Sequence, residues 1–187
     1  MDLILKAYET ERLTLRTLNK DFAYPVLSFY EENKENFEPW EPARNMNFYT
    51  LPYQKASLTA EYNQMAEGKL LRLWAFLKNN PEEIIGSVCF QNFLREPYQS
   101  CTMGYKVSYK YQHQGYALES IQKGIDIIFQ ELHFHRIEAY IMPENKSSLH
   151  VIEKLHFHQE GLARSYARVQ GAWRDHRRYA LINPFHC

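Results

Sequence analysis

Gln112-His113-Gln114-Gly115-Tyr116-Ala117 separates an alternating run over residues 101–108 from a run of helical period, Leu118, Ile121, Ile125, Ile128 and Leu132. Alternation predicts a strand and the longer period a helix, so the hexapeptide is a strand-to-helix loop. The first turn of a helix carries backbone N–H groups with no intrahelical partner, and the positive end of the helix dipole sits beside them. Together they form an anion site. Gly115 lets the backbone come close to a phosphate, and Ala117 keeps the first turn small. The segment is read as the seat of a pyrophosphate.

Outward from this loop, residues 12–17 alternate polar and apolar, as a half-buried strand does. Asn19 is expected to cap a helix running to about residue 36, with Pro25 near its start. Residues 37–48, with Pro39, Trp40 and Pro42, form an aromatic-rich loop. Thr50-Leu51-Pro52 opens a second helix, and Gly68 closes it. Residues 70–78 read as a strand, Asn79-Asn80-Pro81 as a turn, and 84–94 as the hairpin partner. Glu96-Pro97-Tyr98-Gln99 turns the chain into the strand before the loop. After the helix that begins at Tyr116, residues 136–142 alternate again, with Ile137, Ala139 and Ile141 on one face. Residues 145–155 form a short helix. Residues 157–168 and 173–182 make a closing hairpin that turns at Gln170-Gly171. This order predicts an α/β (α+β) fold, three layers α/β/α around a mixed, mostly antiparallel sheet of about seven strands. One domain, 1–187, is expected.

Composition narrows the function classes. Lys+Arg and Asp+Glu number 22 each, so bulk charge gives no strong nucleic-acid signal. Any RNA contact would be local, through Arg164, Arg168, Arg174, Arg177 and Arg178. No apolar run approaches the roughly 18 residues of a membrane helix. Met1-Asp2-Leu3-Ile4-Leu5-Lys6 has neither the basic start nor the long apolar core of a signal peptide, so a cytoplasmic location with no membrane partner is expected. Cys89, Cys101 and Cys187 are an odd, unclustered set that suits reduced thiols. His133-x-His135, His156-x-His158 and His186-Cys187 lack an accompanying Cys-x-x-Cys, so satisfied or surface histidines are expected and no metal site. No Gly-Lys-Ser/Thr follows Gly115, which argues against a nucleotide P-loop. The sequence leaves monomer and homodimer both open.

The loop also resembles the acetyl-CoA pyrophosphate loop, Gln-x-x-Gly-x-Ala, of the GNAT N-acetyltransferases. Further similar segments follow in the family's order. They are Thr10-Glu11-Arg12-Leu13-Thr14-Leu15-Arg16, Pro143-Glu144-Asn145-Lys146-Ser147-Ser148, Val151-Ile152-Glu153-Lys154-Leu155-His156-Phe157, Glu160-Gly161, and Trp173-Arg174-Asp175 before Tyr179-Ala180-Leu181. Together they span most of the chain and are most similar to the branch of ribosomal-protein N-terminal alanine and serine acetyltransferases. The resemblance implies acetyl-CoA as co-substrate, without a metal, and an acceptor that is a peptide N-terminal α-amine. A small amine of polyamine or antibiotic type, or a non-catalytic acyl-CoA-binding module, is the alternative. It places the cofactor on Gln112, His113, Gln114, Gly115, Tyr116 and Ala117, on Tyr105 and Val107 of the preceding strand, and on Asn145.

Acyl transfer from a thioester to an amine needs a neutral nucleophile, a donor for the oxyanion and protonation of the leaving thiolate. An α-amine titrates at about 7.7–8.0, so a modest base suffices. Asn145 and Ser148 are three apart at a helix start and share a face. The resemblance gives Asn145 a contact with the cofactor arm and Ser148 a place beside the thioester sulfur; physically, Asn145 also suits an N-cap. Ile152 stands where many family members carry a Tyr, which favours Ser148 as the donor. The branch carries a Glu as base on the strand after Glu-Gly, and Ala167 occupies that place here. Glu138, on the strand face opposite Ile137 and Ala139, is the candidate substitute, with Glu41 and Tyr166 near a peptide groove as others. Trp40, with Phe37, Phe48, Tyr49 and Tyr53, lies in the segment that walls the family's acceptor groove, and Glu41 beside it could attract a cationic amine. His156 replaces a glycine common in the family; if that position has φ > 0, histidine is tolerated there at some strain.

Overall fold

In the computed structural model, which describes residues 3, 4 and 6–185, one mixed sheet carries helices on both faces. The elements in chain order are β1 (Ala7–Glu9), β2 (Leu13–Arg16), α1 (Ala23–Glu32), α2 (Lys34–Phe37), α3 (Leu51–Ala66), β3 (Leu71–Leu77), β4 (Asn80–Leu94), β5 (Ser100–Val107), α4 (Tyr116–Asp126), β6 (Arg136–Ile141), α5 (Lys146–Lys154), β7 (His158–Val169) and β8 (Ala172–Ile182). The strands lie in the order β1-β2-β3-β4-β5-β6-β8-β7. Every neighbouring pair is antiparallel except β5 and β6.

Three layers arise because the central strands bury both faces. Leu71, Leu73 and Ala75 of β3 join Phe90, Ile121, Ile125, Ile137 and Ile152 in one core, under α4 and α5. Trp74 and Phe76 of the same strand turn the other way and pack with Val26, Phe29 and Leu58 from α1 and α3. A strand buried on both sides reads as a continuous apolar run, as Leu-Trp-Ala-Phe-Leu does. Gly124 brings α4 down onto β4, since a Cβ there would lie 2.5 Å from the ring of Phe90. Beyond Asp126 the helix continues as a π turn, Ile127–Glu131, in which Leu132 N–H donates to the Ile127 carbonyl at 3.0 Å.

The sheet has eight strands where about seven were expected. The extra one, β1, is three residues long with no fully buried side chain, so its sequence carries no apolar alternation to read. The helix expected from Asn19 to about 36 is in pieces. Asn19 caps a 3₁₀ turn, accepting from Asp21 N–H at 2.9 Å, and α1 ends at Asn33. Asn33 is buried; its amide donates to the Phe29 carbonyl and its Oδ1 accepts from Tyr109 N–H, both at 2.8 Å. A short amide side chain that competes for backbone groups in this way stops a helix. The 37–48 segment holds two 3₁₀ turns, Glu38–Trp40 and Met46–Tyr49, and is not a plain loop. His156 does sit at φ +60, in the left-handed position just after α5, where Phe157 N–H reaches back to the Ile152 carbonyl at 3.1 Å.

Candidate functional site

The one parallel pair among the described residues positions the site. β5 and β6 pair at Ser100↔Arg136, Cys101↔Ile137 and Thr102↔Glu138, and the pairing goes no further. From residue 103 onward the β6-facing backbone groups of β5 have no strand partner, and a cavity of about 200 Å³ occupies the gap. Met103, Gly104, Tyr105 and Lys106 line it from β5; Ala139, Tyr140 and Ile141 line it from β6. A larger cleft of about 860 Å³ runs from there to the 112–117 loop and the start of α5. Trp40, Glu41, Tyr105, Lys106, Asn145 and Ser148 border both spaces, so the two are continuous.

The loop end of the cleft is built for an anion. Gly115 is the N-cap of α4 at φ +84, and no side chain caps that terminus. The backbone N–H groups of the first turn are thus open to a ligand. Gln112, His113, Gly115, Tyr116 and Ala117 border the cleft. Gln114 does not: its amide donates to the Lys110 carbonyl at 3.1 Å, and its own carbonyl accepts from Arg12 Nη1 at 2.9 Å.

Arg12 is the brace that sequence reading missed. Its Nε donates to Glu119 Oε2 and its backbone N–H to Glu119 Oε1, each at 2.7 Å, while Thr10 Oγ1 donates to Glu119 Oε1 at 2.6 Å. The guanidinium also lies over the Tyr116 ring, 4.5 Å from its centroid. The entry to β2 therefore clamps the loop and the first turn of α4 together. Burial pushes the Glu119 carboxyl up, but the bonds from Thr10 and Arg12 outweigh it and hold the group below its ordinary range. A depressed folded value contributes stability above the unfolded carboxyl value, about 4.3, and that contribution is lost as pH falls through the folded value. Glu119→Gln is therefore expected to lower Tm at pH 7 and to speed amide hydrogen exchange across 113–117. The variant's Tm should also fall less than the wild type's between pH 5 and 3. A variant with the wild-type exchange pattern and the same acid limb would show that the clamp is idle.

At the other end, Asn145 is an N-cap: its Oδ1 accepts from Ser148 N–H at 3.1 Å and from Ser147 Oγ at 3.0 Å. Ser148 is half-buried, and its carbonyl lies 3.4 Å from the Tyr105 hydroxyl. Among the described residues its Oγ makes no hydrogen bond, so a hydroxyl donor faces the meeting point of the two cavities. Burial pushes the Tyr105 phenol up to about 12, so it stays protonated. Val107 borders the larger cleft.

The aromatic wall is tied down from two sides. Glu41 pairs with Lys106 of β5 and with Arg44. Burial pushes its carboxyl up, but the two cations more than offset this and keep it ionised. The Arg44 guanidinium stacks 3.7 Å over the Phe48 ring. Gln170, at the β7–β8 turn, donates its amide to the Glu38 carbonyl at 2.7 Å and to that of Glu41 at 3.3 Å. Trp40 thus faces the cleft from a stiff support.

Two expected site residues stand elsewhere. Glu138 borders neither cavity; it accepts from Arg136 Nε at 2.8 Å, Arg178 Nη2 at 2.7 Å and the Tyr140 hydroxyl at 2.8 Å. Burial raises its carboxyl, but these donors hold it below the ordinary range, so it is a poor proton acceptor. Tyr166 also borders neither cavity. It stacks on Tyr140, with centroids 4.4 Å apart and planes at 3°, and lies against His176 at 5.1 Å. Ala167 pairs with Arg174 and reaches neither space.

His176, which sequence reading passed over as part of the closing hairpin, does border the inner cavity. Among the described residues no group of three or more His, Cys, Asp or Glu is arranged for a metal ion, and no helix is long and apolar enough to cross a membrane. His186 and Cys187 lie outside the described residues. Cys89 and Cys101 are buried free thiols.

Comparison with known proteins places this geometry among relatives. A family model described as an acetyltransferase (GNAT) domain matches residues 12–158. The chain is 32% identical over 177 residues to the [Ribosomal protein uS5]-alanine N-acetyltransferase of Escherichia coli (strain K12), covering 94% of this chain and 90% of that protein. It is also 32% identical over 170 residues to the probable N-acetyltransferase YjcK of Bacillus subtilis (strain 168), covering 91% and 93%. Among solved structures, the ribosomal-protein-S5-alanine acetyltransferase from Vibrio fischeri superposes with a TM-score of 0.91 at 29% identity, covering 96% of this chain and 98% of that one. Mycobacterium smegmatis RimJ in complex with CoA-disulfide gives 0.85 at 27% identity, covering 91% and 81%.

Proposed function

This chain belongs to the GNAT acetyltransferase family and is an acetyl-CoA-dependent N-acetyltransferase, and from that premise we propose that it acetylates the N-terminal α-amine of a protein, of ribosomal-protein type. The observation that carries the reading is the split between β5 and β6, which opens directly onto the 112–117 loop. A diphosphate on the loop N–H groups leaves an extended cofactor arm pointing along β5. The unpaired N–H groups of residues 103–107 can then hold the thioester carbonyl and receive its developing negative charge.

In this assignment Gln112, His113, Gly115, Tyr116 and Ala117 bind the diphosphate, while Gln114 acts through its carbonyl on Arg12. Tyr105, Val107 and Asn145 border the arm. Ser148 donates its hydroxyl proton toward the departing sulfur. Trp40 and Glu41 wall the acceptor side. The amine nitrogen attacks the thioester carbon, the tetrahedral intermediate collapses with loss of the C–S bond, and CoA leaves as the thiol. The single gap beside Trp40 and Tyr140 suits an extended peptide terminus, and a ribosomal-protein acceptor places the enzyme in the cytoplasm. The ribosomal-protein-alanine acetyltransferases of Escherichia coli and Vibrio fischeri, to which the chain is similar, support this choice over a small amine.

The experiment is CoA release measured with three acceptors: a peptide with N-terminal alanine or serine, the same peptide blocked at its N-terminus but carrying a lysine, and spermidine. The reading expects turnover of the free terminus alone, with the acetyl group found on the α-nitrogen by mass spectrometry. Preference for spermidine would move the enzyme to the small-amine reading.

A further inference from the structure

The acceptor amine arrives as an ammonium and must lose a proton, and neither Glu138 nor Ala167 is placed to take it. We propose that His176 of β8 is the proton acceptor, acting through Nε2. This rests on the N-acetyltransferase reading of the same site.

Four observations carry it. His176 is buried, at 7% exposure, and borders the inner cavity together with Gly104, Tyr105, Lys106, Tyr140 and Ser148. Its Nδ1 lies 3.1 Å from the Arg174 carbonyl oxygen. A carbonyl only accepts, so Nδ1 carries the hydrogen and, in the neutral ring, Nε2 holds the lone pair. Among the described residues Nε2 has no protein partner. The ring is also fixed in place: Tyr166 packs against it at 5.1 Å and is itself stacked on Tyr140. The backbone beneath is held by Asp175, whose Oδ1 accepts from Ser165 N–H at 2.7 Å where β7 bulges between Ala163 and Ala167.

The other titratable groups around the cavity are unsuited. Burial pushes the Tyr105 and Tyr140 phenols up to about 12. Glu41 is tied to Lys106 and Arg44, and Lys106 to Glu41. An imidazole oriented by a backbone carbonyl, on the wall of the substrate cavity and with its other nitrogen unpartnered among the described residues, is the arrangement a general base requires.

The proton balance is complete. His176 Nε2 takes one proton from the ammonium and later releases it to water. The neutral amine forms the C–N bond. As the C–S bond breaks, Ser148 passes its hydroxyl proton to the sulfur and is reprotonated, through solvent, by the second N–H proton that the tetrahedral intermediate gives up, so CoA leaves as the thiol and Ser148 ends as the hydroxyl. The net products are the amide, CoA thiol and one proton in solution.

The test compares wild type with His176→Asn, whose amide keeps an N–H donor toward the Arg174 carbonyl, using acetyl-CoA and a short peptide with N-terminal alanine. Without the proton acceptor only the neutral fraction of the amine reacts, so kcat/KM should fall by up to about tenfold at pH 7 for an amine that titrates at about 7.7–8.0. The acetyl-CoA Kd and Tm should stay near the wild-type values. The variant's deficit should be largest where the peptide amine is an ammonium and should shrink as pH rises through about 7.7–8.0 and the amine becomes neutral in solution. An unchanged rate and pH profile would overturn the proposal. A second arm does not depend on turnover: in ¹⁵N NMR at pH 8, His176 should show a protonated Nδ1 and an unprotonated Nε2. A protonated Nε2 in the neutral ring would overturn the inference on its own. A wild type that ignores the peptide would instead sink the N-terminal-amine reading, with the NMR result still deciding the role of His176.

Discussion

Gly115→Glu is expected to abolish acetyl-CoA binding while the protein still folds. Gly115 sits at φ +84, where an L-residue costs about 1–2 kcal/mol, and a Cβ would lie 3.2 Å from the Arg12 guanidinium. A carboxylate there does two kinds of damage. It places negative charge at the helix N-terminus that should receive a diphosphate, and it draws Arg12 away from Glu119 and Gln114. Like charges about 4 Å apart repel by roughly 4 kcal/mol at an effective dielectric of about 20. Since about 2.7 kcal/mol is a hundredfold in affinity, the rise in Kd should exceed about 100-fold. Gly115→Ala carries the strain without the charge and should lose much less. Calorimetric titration of both variants separates the terms. Equal losses would mean that backbone conformation, and not charge, governs the loop; no loss in either would remove the loop from the site.

Ser148→Ala should lower kcat with little change in the KM for acetyl-CoA. Its Oγ has no partner among the described residues, and its N–H stays capped by Asn145 whatever the side chain. The fold therefore has little reason to respond. A donor that meets the leaving sulfur only as charge develops there acts on the transition state alone, and removing such a donor costs about 10²–10³-fold in kcat. Steady-state kinetics with the alanine-terminated peptide gives the split. A raised KM at unchanged kcat would make Ser148 a ground-state contact.

The part of this enzyme legible in its sequence is the part built from neighbours along the chain. The 112–117 loop could be read because a period-2 run, a glycine and a period-3.6 run follow one another. The Asn145 cap, the Gln170-Gly171 turn and the positive φ of His156 are likewise local. What was missed depends on partners far away in the chain. Asn33 ends α1 because it binds Tyr109 N–H, 76 residues on. Arg12 looks like an ordinary strand charge until Gln114, 102 residues away, receives its hydrogen bond. Glu138 alternates onto the polar face of β6 as read, yet that face carries Arg136 and Arg178 rather than the cleft. His176 has no motif of its own, and only the gap between β5 and β6 brings it to the acceptor side.

The most direct measurement is a crystal structure with CoA bound. The diphosphate should lie within about 3.5 Å of backbone N–H groups in residues 113–117, with the sulfur beside Ser148 Oγ at the split between β5 and β6. A diphosphate bound away from that loop, or a sulfur pointing out of the split, would contradict the assignment of the cleft.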